Sequence, residues 1–155
     1  MTTKRHLTLA TLAACALVLP ATGSIDNPVE RPFRSQAVVT WTVNMMDGSA
    51  AGYEIGVATH GGLYTNESEA IWDLENFVIV SGAGVATVAS GEQLFWEMTP
   101  DLPMVVQFTG GTGRFENATG SFSTDSMSEP QITVDLGTRT MTMVIAYTAA
   151  GTITY

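Results

Sequence analysis

Apolar and polar residues alternate with a period of two along much of the chain beyond Gln36. Ala37, Val39, Trp41 and Val43 alternate with Val38, Thr40 and Thr42, which predicts a strand with one buried face. Asp47-Gly48 signals a turn. Tyr53, Ile55, Val57 and Thr59 alternate next, until His60-Gly61-Gly62 ends the run. Leu63 to Ala70 is polar and reads as surface loop or hairpin. A strand is expected over Asn76 to Val80. Gly82, Gly84 and Gly91 then punctuate two short segments, Val85 to Ala89 and Gln93 to Met98, and in the second Leu94, Trp96 and Met98 share a face. Pro100 to Pro103 predicts a turn, Met104 to Thr109 a strand, and Ser121 to Thr124 another. Ile132 to Leu136 and Thr138 to Ala149 flank Gly137 as a hairpin, with Met141, Met143, Ile145 and Tyr147 on one face. No stretch after residue 23 sustains a helical period. Many short strands separated by glycine turns read as an all-β sandwich or barrel.

The first residues follow a different pattern. Lys4-Arg5, the apolar run Leu7 to Leu19 and the small residues Ala21 and Gly23 have the layout of an export signal, with cleavage expected after Gly23. The apolar run is too short for a membrane-spanning helix. This places the mature protein in a secreted or periplasmic compartment. A competing reading takes Leu12-Ala13-Ala14-Cys15 as a lipobox with Cys15 lipidated, although Ala16 to Leu19 stay apolar where a lipoprotein usually turns polar. Ser24 to Ser35, with Pro28 and Pro32 among polar residues, is expected to be an extended arm. Residues 36–155 are then left for a single β domain, and the length of 155 residues suits one domain.

Charge narrows the partners. The chain carries 15 acids against 6 lysines and arginines, a net charge of -9. Without residues 1–23 only Arg31, Arg34, Arg114 and Arg139 oppose the 15 acids, and 4 - 15 gives -11. Such a body is repelled by phosphate backbones and by anionic membranes, which argues against nucleic-acid binding. Cys15 is the single cysteine, so the exported part has no disulfide, thiol nucleophile or cysteine metal site.

The densest glycine cluster is Gly110-Gly111-Thr112-Gly113-Arg114-Phe115-Glu116-Asn117-Ala118-Thr119-Gly120-Ser121-Phe122, in which Arg114 to Ala118 is expected to make one helical turn. It resembles the G-G-T-G-x-F-x-x-A-x-G signature of the dirigent and allene-oxide-cyclase-like barrels, which many small exported bacterial proteins carry. Ala58-Thr59-His60-Gly61-Gly62-Leu63-Tyr64-Thr65 and the ending Gly151-Thr152-Ile153-Thr154-Tyr155 are similar to further stretches of the same proteins. The resemblance implies an antiparallel eight-stranded, calycin-like barrel. Plant dirigent proteins steer radical coupling, and the cyclases close a fatty-acid-derived ring. The polar residues those activities use find no secure counterpart here, so the resemblance carries the fold and not an activity.

Each candidate site has a structural rival. A glycine-rich loop can cradle phosphate, but Gly110-Gly111-Thr112-Gly113 lacks the Lys-Ser/Thr end of a P-loop, and Glu116 would repel an anion. A tight crossing at the barrel rim is the expected role of Gly110, Gly111, Gly113, Phe115 and Gly120. Gly111 or Gly113 should then have positive φ, while Arg114 and Glu116 tie the turn down. His60, paired with Glu54 or Glu97, has the residue types for acid–base work; its rival role is a hydrogen bond that holds the turn before Gly61-Gly62. No ligand set for a metal stands out, no cofactor is implied, and Glu67, Glu69, Asp73 and Glu75 lack calcium-loop spacing. Trp41, Trp96, Tyr147 and Phe108, with Trp72, either fill the barrel or line a cavity for a flat apolar ligand.

Three functions follow. The first is a non-enzymatic barrel that binds a small hydrophobic molecule. The second is a cyclase or isomerase acting on a flexible apolar substrate, and the third a structural surface protein. A buried carboxylate or His60 facing an open cavity favours the enzyme; a barrel packed solid favours the structural role.

Overall fold

In the computed structural model, residues 28–98 and 105–155 are described. The export signal, Cys15, the first part of the arm and the Pro100–Pro103 turn lie outside them. Nine strands appear among the described residues: β1 Glu30–Asn44, β2 Ser49–Ala58, β3 Gly62–Asp73, β4 Val78–Val88, β5 Gln93–Met98, β6 Val105–Gly111, β7 Thr119–Met127, β8 Gln131–Asp135 and β9 Thr140–Thr154. One 3-10 turn, Gly113–Phe115, stands between β6 and β7.

All pairings are antiparallel, in the order β1-β2-β3-β4-β5-β6-β7-β9-β8, and β9 returns to β1 over its whole length, from Glu30↔Thr154 to Asn44↔Thr140. That ladder closes an eight-stranded barrel with one further strand, as the glycine signature implied. β7 and β8 lie end to end on the same edge of β9, β7 opposite Tyr147–Thr154 and β8 opposite Thr140–Val144. Closure leaves Gly151–Thr154 paired on both sides, with β1 and with β7.

Three expectations are corrected. Glu30 to Ser35 is not an arm: it pairs with Ala149–Thr154 of β9, and Phe33 and Ser35 are buried. Pro32 is tolerated there because its carbonyl accepts from His60, on the side away from β9. Its missing N–H therefore faces a side that has no ladder bond to lose. Leu63 to Ala70 is the body of β3, not a loop. Its inward residues include Asn66 and Ser68, polar groups with partners inside, so the polarity contrast between the faces disappears. Val78 to Val88 is one strand that runs through Gly82 and Gly84 without a break.

The turns explain themselves locally. At the end of the barrel where β1 finishes, the upper end, Asp47, Asp73 and Asp135 each accept backbone N–H groups two or three residues on, at 2.8–3.2 Å. Led by the Ser49 hydroxyl on Asp47, the Asn76 amide on Asp73 and the backbone bonds themselves on Asp135, these contacts hold all three carboxyls below their ordinary range.

The interior divides into two clusters. One gathers Phe33, Phe108 and Phe122, rings 5.0–5.4 Å apart, with Trp96, Phe115 and Ile153 toward the lower end. The other, toward the upper end, is built on Trp41, Trp72, Val43 and Met143, with the two indoles T-shaped at 6.2 Å. The Trp72 Nε1–H is buried without a hydrogen-bond partner among the described residues.

Candidate functional site

A cavity of about 510 Å³ lies inside the barrel between the two clusters. Its floor is the glycine signature. Gly113 has φ 59°, Gly110 128° and Gly120 120°, conformations that cost glycine little. This backbone path carries Phe115 into the barrel, where it is 1% exposed and lines the cavity. Arg114 secures the turn from outside through Glu92, which accepts its backbone N–H at 2.9 Å and pairs with Nε at 3.3 Å. The donated backbone N–H is the main reason the Glu92 carboxyl lies below its ordinary range. At the other end Phe77, Val78, Met127 and Ile132 are exposed and also line the cavity, so they form an apolar rim.

An eight-stranded barrel has room for its own side chains or for one small ligand. Three glycines decide between these outcomes here. In one row around the wall, Trp41 faces Gly52 and Trp96 faces Gly84, with Ser68 between the glycines. In the next row but one, Tyr64 faces Gly56. A Cβ at Gly52 would stand 2.7 Å from the Trp41 ring, at Gly56 2.7 Å from the Tyr64 ring and at Gly84 against Trp96 Cζ2, with Cε2 at 2.6 Å. The rings therefore lie against the wall over bare backbone. The centre stays open.

Between Gly52 and Gly56, Glu54 points inward and is 6% exposed. Tyr64 donates its hydroxyl to Oε1, and Asn66 Nδ2 approaches Oε2 at 3.4 Å. Asn66 in turn accepts from Trp96 Nε1 at 2.8 Å, which joins the indole to the carboxyl through one amide. The Tyr147 hydroxyl also interacts with Glu54, and Ser35 with Tyr64. Burial raises the Glu54 carboxyl above its ordinary range, against the opposing pull of Tyr64, Tyr147 and Asn66. Burial, reinforced by the neighbouring carboxyl, pushes both tyrosines far above theirs, so they remain hydroxyl donors.

The candidates named from sequence separate in space. Trp41, Trp96, Tyr147 and Phe108 all line the cavity, as does Glu54. Glu97 does not. It alternates outward on β5 beside Trp96, and its neighbours are Glu67 and Glu69 on the outer wall. His60 sits half-buried in the β2–β3 turn and also lines the cavity; its Nε2 meets the Pro32 carbonyl at 2.8 Å and the ring stacks edge-on to Tyr155 at 5.8 Å. The groups that meet Glu54 are Tyr64, Asn66 and Tyr147, and the hydrogen bond that His60 makes is one that holds its turn. Tyr64, Asn66 and Ser35 were not anticipated. Their signal was present in the alternation of Gly52, Glu54 and Gly56, a polar centre between two vacant wall positions.

The chain matches no family model, no curated protein and no solved structure. Its resemblance to the dirigent and allene-oxide-cyclase-like barrels thus rests on the motifs in its own sequence. No helix among the described residues is long and apolar enough to cross a membrane.

Proposed function

We propose that this is an exported barrel that binds one small, predominantly apolar molecule in its interior. The observation that carries the reading is the cavity of about 510 Å³, inside the usual 300–1,000 Å³ range of ligand sites, apolar apart from the Glu54 group, His60 and Thr124. A merely structural barrel has no need of glycines that hold three aromatic rings back from its centre. An environment-sensitive apolar dye should bind and quench tryptophan fluorescence. Trp96→Ala should weaken that binding, and Glu67→Ala, on the outer wall, should not. A dye that fails to bind the intact fold defeats the proposal.

A second reading, a cyclase or isomerase, is favoured by Glu54 alone. A carboxyl whose hold on its proton is strengthened by burial can donate that proton to an oxygen of an apolar substrate, and Tyr64 would then stabilise the carboxylate left behind. Exclusion of water and the fixed rings would supply the positioning. Under this reading Glu54→Gln abolishes turnover of a converted substrate while dye binding persists. Turnover that survives the substitution removes Glu54 from the chemistry.

A further inference from the structure

We propose that the preferred occupant of the cavity is an apolar amine, held as its ammonium cation against Glu54. The inference rests on the binding reading above and specifies its ligand class. Among the described residues that line the cavity, Glu54 is the only carboxyl, and there is no lysine or arginine. Buried charges are ordinarily paired, because an isolated carboxylate loses more hydration than neutral hydrogen bonds restore. The groups that face Glu54 are the Tyr64 and Tyr147 hydroxyls and the Asn66 amide, all neutral. His60, which also lines the cavity, is already held by the Pro32 carbonyl. The counter-charge that Glu54 lacks within the fold is one a ligand can bring.

The surroundings suit a cation in two more ways. Glu54 lies on β2 between the glycines over which the Trp41 and Tyr64 rings rest, and ammonium groups are attracted to such rings. The body's net charge of -11 without residues 1–23, from 4 arginines and 15 acids, draws cations and repels carboxylates. A fatty acid would set a second carboxylate beside the first. A neutral alcohol would enter but leave Glu54 without its partner. The bound pair is the Glu54 carboxylate with the ammonium: a proton carried by Glu54 leaves to buffer as the pair forms, and the amine keeps its own protons.

The test compares decylamine, decanol and decanoate on the mature protein, by dye displacement and by calorimetry. Decylamine is a cation at neutral pH. It should bind about tenfold or more tighter than decanol, the gain expected of a charge-assisted contact, with decanoate weakest. Glu54→Gln should bring the amine down to the level of the alcohol and leave decanol unchanged. Should that variant not fold, the wild-type profile serves: amine affinity rises with pH as Glu54 ionises, and decanol affinity stays flat. Decanol binding as tightly as the amine overturns the inference and leaves the binding reading standing. Failure of the dye and of all three probes to bind overturns both.

Discussion

Adding a single methyl group at Gly84 should destabilise the protein by about 1–2 kcal/mol, the net of overpacking against a small entropic gain. The new Cβ would stand 2.6 Å from Trp96 Cε2 and 2.9 Å from the Glu67 carbonyl. Carbon pairs rest at roughly 3.5–4.0 Å, so the indole must retreat by about 1 Å. Its Nε1 bond to Asn66, now 2.8 Å, would stretch beyond hydrogen-bonding range, a loss of about 1 kcal/mol. Twisting the ring off its rotamer costs roughly another 0.5–1.5 kcal/mol. Replacing glycine by alanine returns about 0.4–1 kcal/mol through the unfolded chain. The cavity limits the damage, since the ring backs into open space. Gly82→Ala in the same strand is the control, because a Cβ there meets nothing nearer than 3.2 Å. Urea unfolding of the two variants measures the difference. In a Trp96→Ala background the Gly84→Ala cost should shrink to the part owed to the Glu67 carbonyl. An effect no larger than that of Gly82→Ala, or one that persists undiminished without the indole, would refute the idea that glycines hold the rings off the centre.

Other outcomes follow from the same geometry. Gly113→Val should cost about 1–3 kcal/mol, since it forces a branched residue to φ 59° with its Cβ 2.5 Å from Glu92 Oε1; an unchanged denaturation midpoint would contradict this. Deleting Gly151 to Tyr155 removes the fully buried Ile153 and unpairs Glu30–Phe33 and Thr119–Phe122, so aggregation by light scattering is expected. A truncated monomer with an unchanged melting temperature would show that β9 does not close the barrel. Glu54 links stability to pH. Its folded pKa is raised, so the folded state holds the proton more tightly, and wild type should lose stability relative to Glu54→Gln as pH rises from the ordinary carboxyl range. The gap becomes constant once Glu54 ionises in the folded protein. A gap that closes with rising pH would mean that the carboxyl is stabilised in its charged form.

Local pattern alone determined that this chain is all β, because a period of two can be satisfied only by strands. β1, β5 and β9 also had their inner faces legible: Trp41, Trp96 and Tyr147 lie on the apolar side of their alternation, and they do point inward. The glycine signature announced its own turn, since positive φ is a property of the backbone at one residue, and Gly113 has it. The position of His60 just before two glycines likewise pointed to a turn-holding bond.

β2 marks where local pattern stops. Its apolar residues Tyr53, Ile55 and Val57 are about half exposed on the outer wall, and the inner face carries Ala50, Gly52, Glu54 and Gly56. Alternation says that a strand has two faces; it does not say which is inside. That choice depends on how much volume the neighbouring strands place in the same row. Trp41 and Tyr64 already fill the positions opposite, so β2 can contribute only glycine there, and its larger apolar groups turn outward. β3 was hidden for a related reason: Asn66 and Ser68 are polar yet buried, satisfied by Trp96 from β5 and by the Gly52 carbonyl of β2. Neither partner is a sequence neighbour. Barrel closure alone brings Glu54, Tyr64, Asn66, Trp96 and Tyr147 from four strands around one open centre, and the site exists only once the chain has closed.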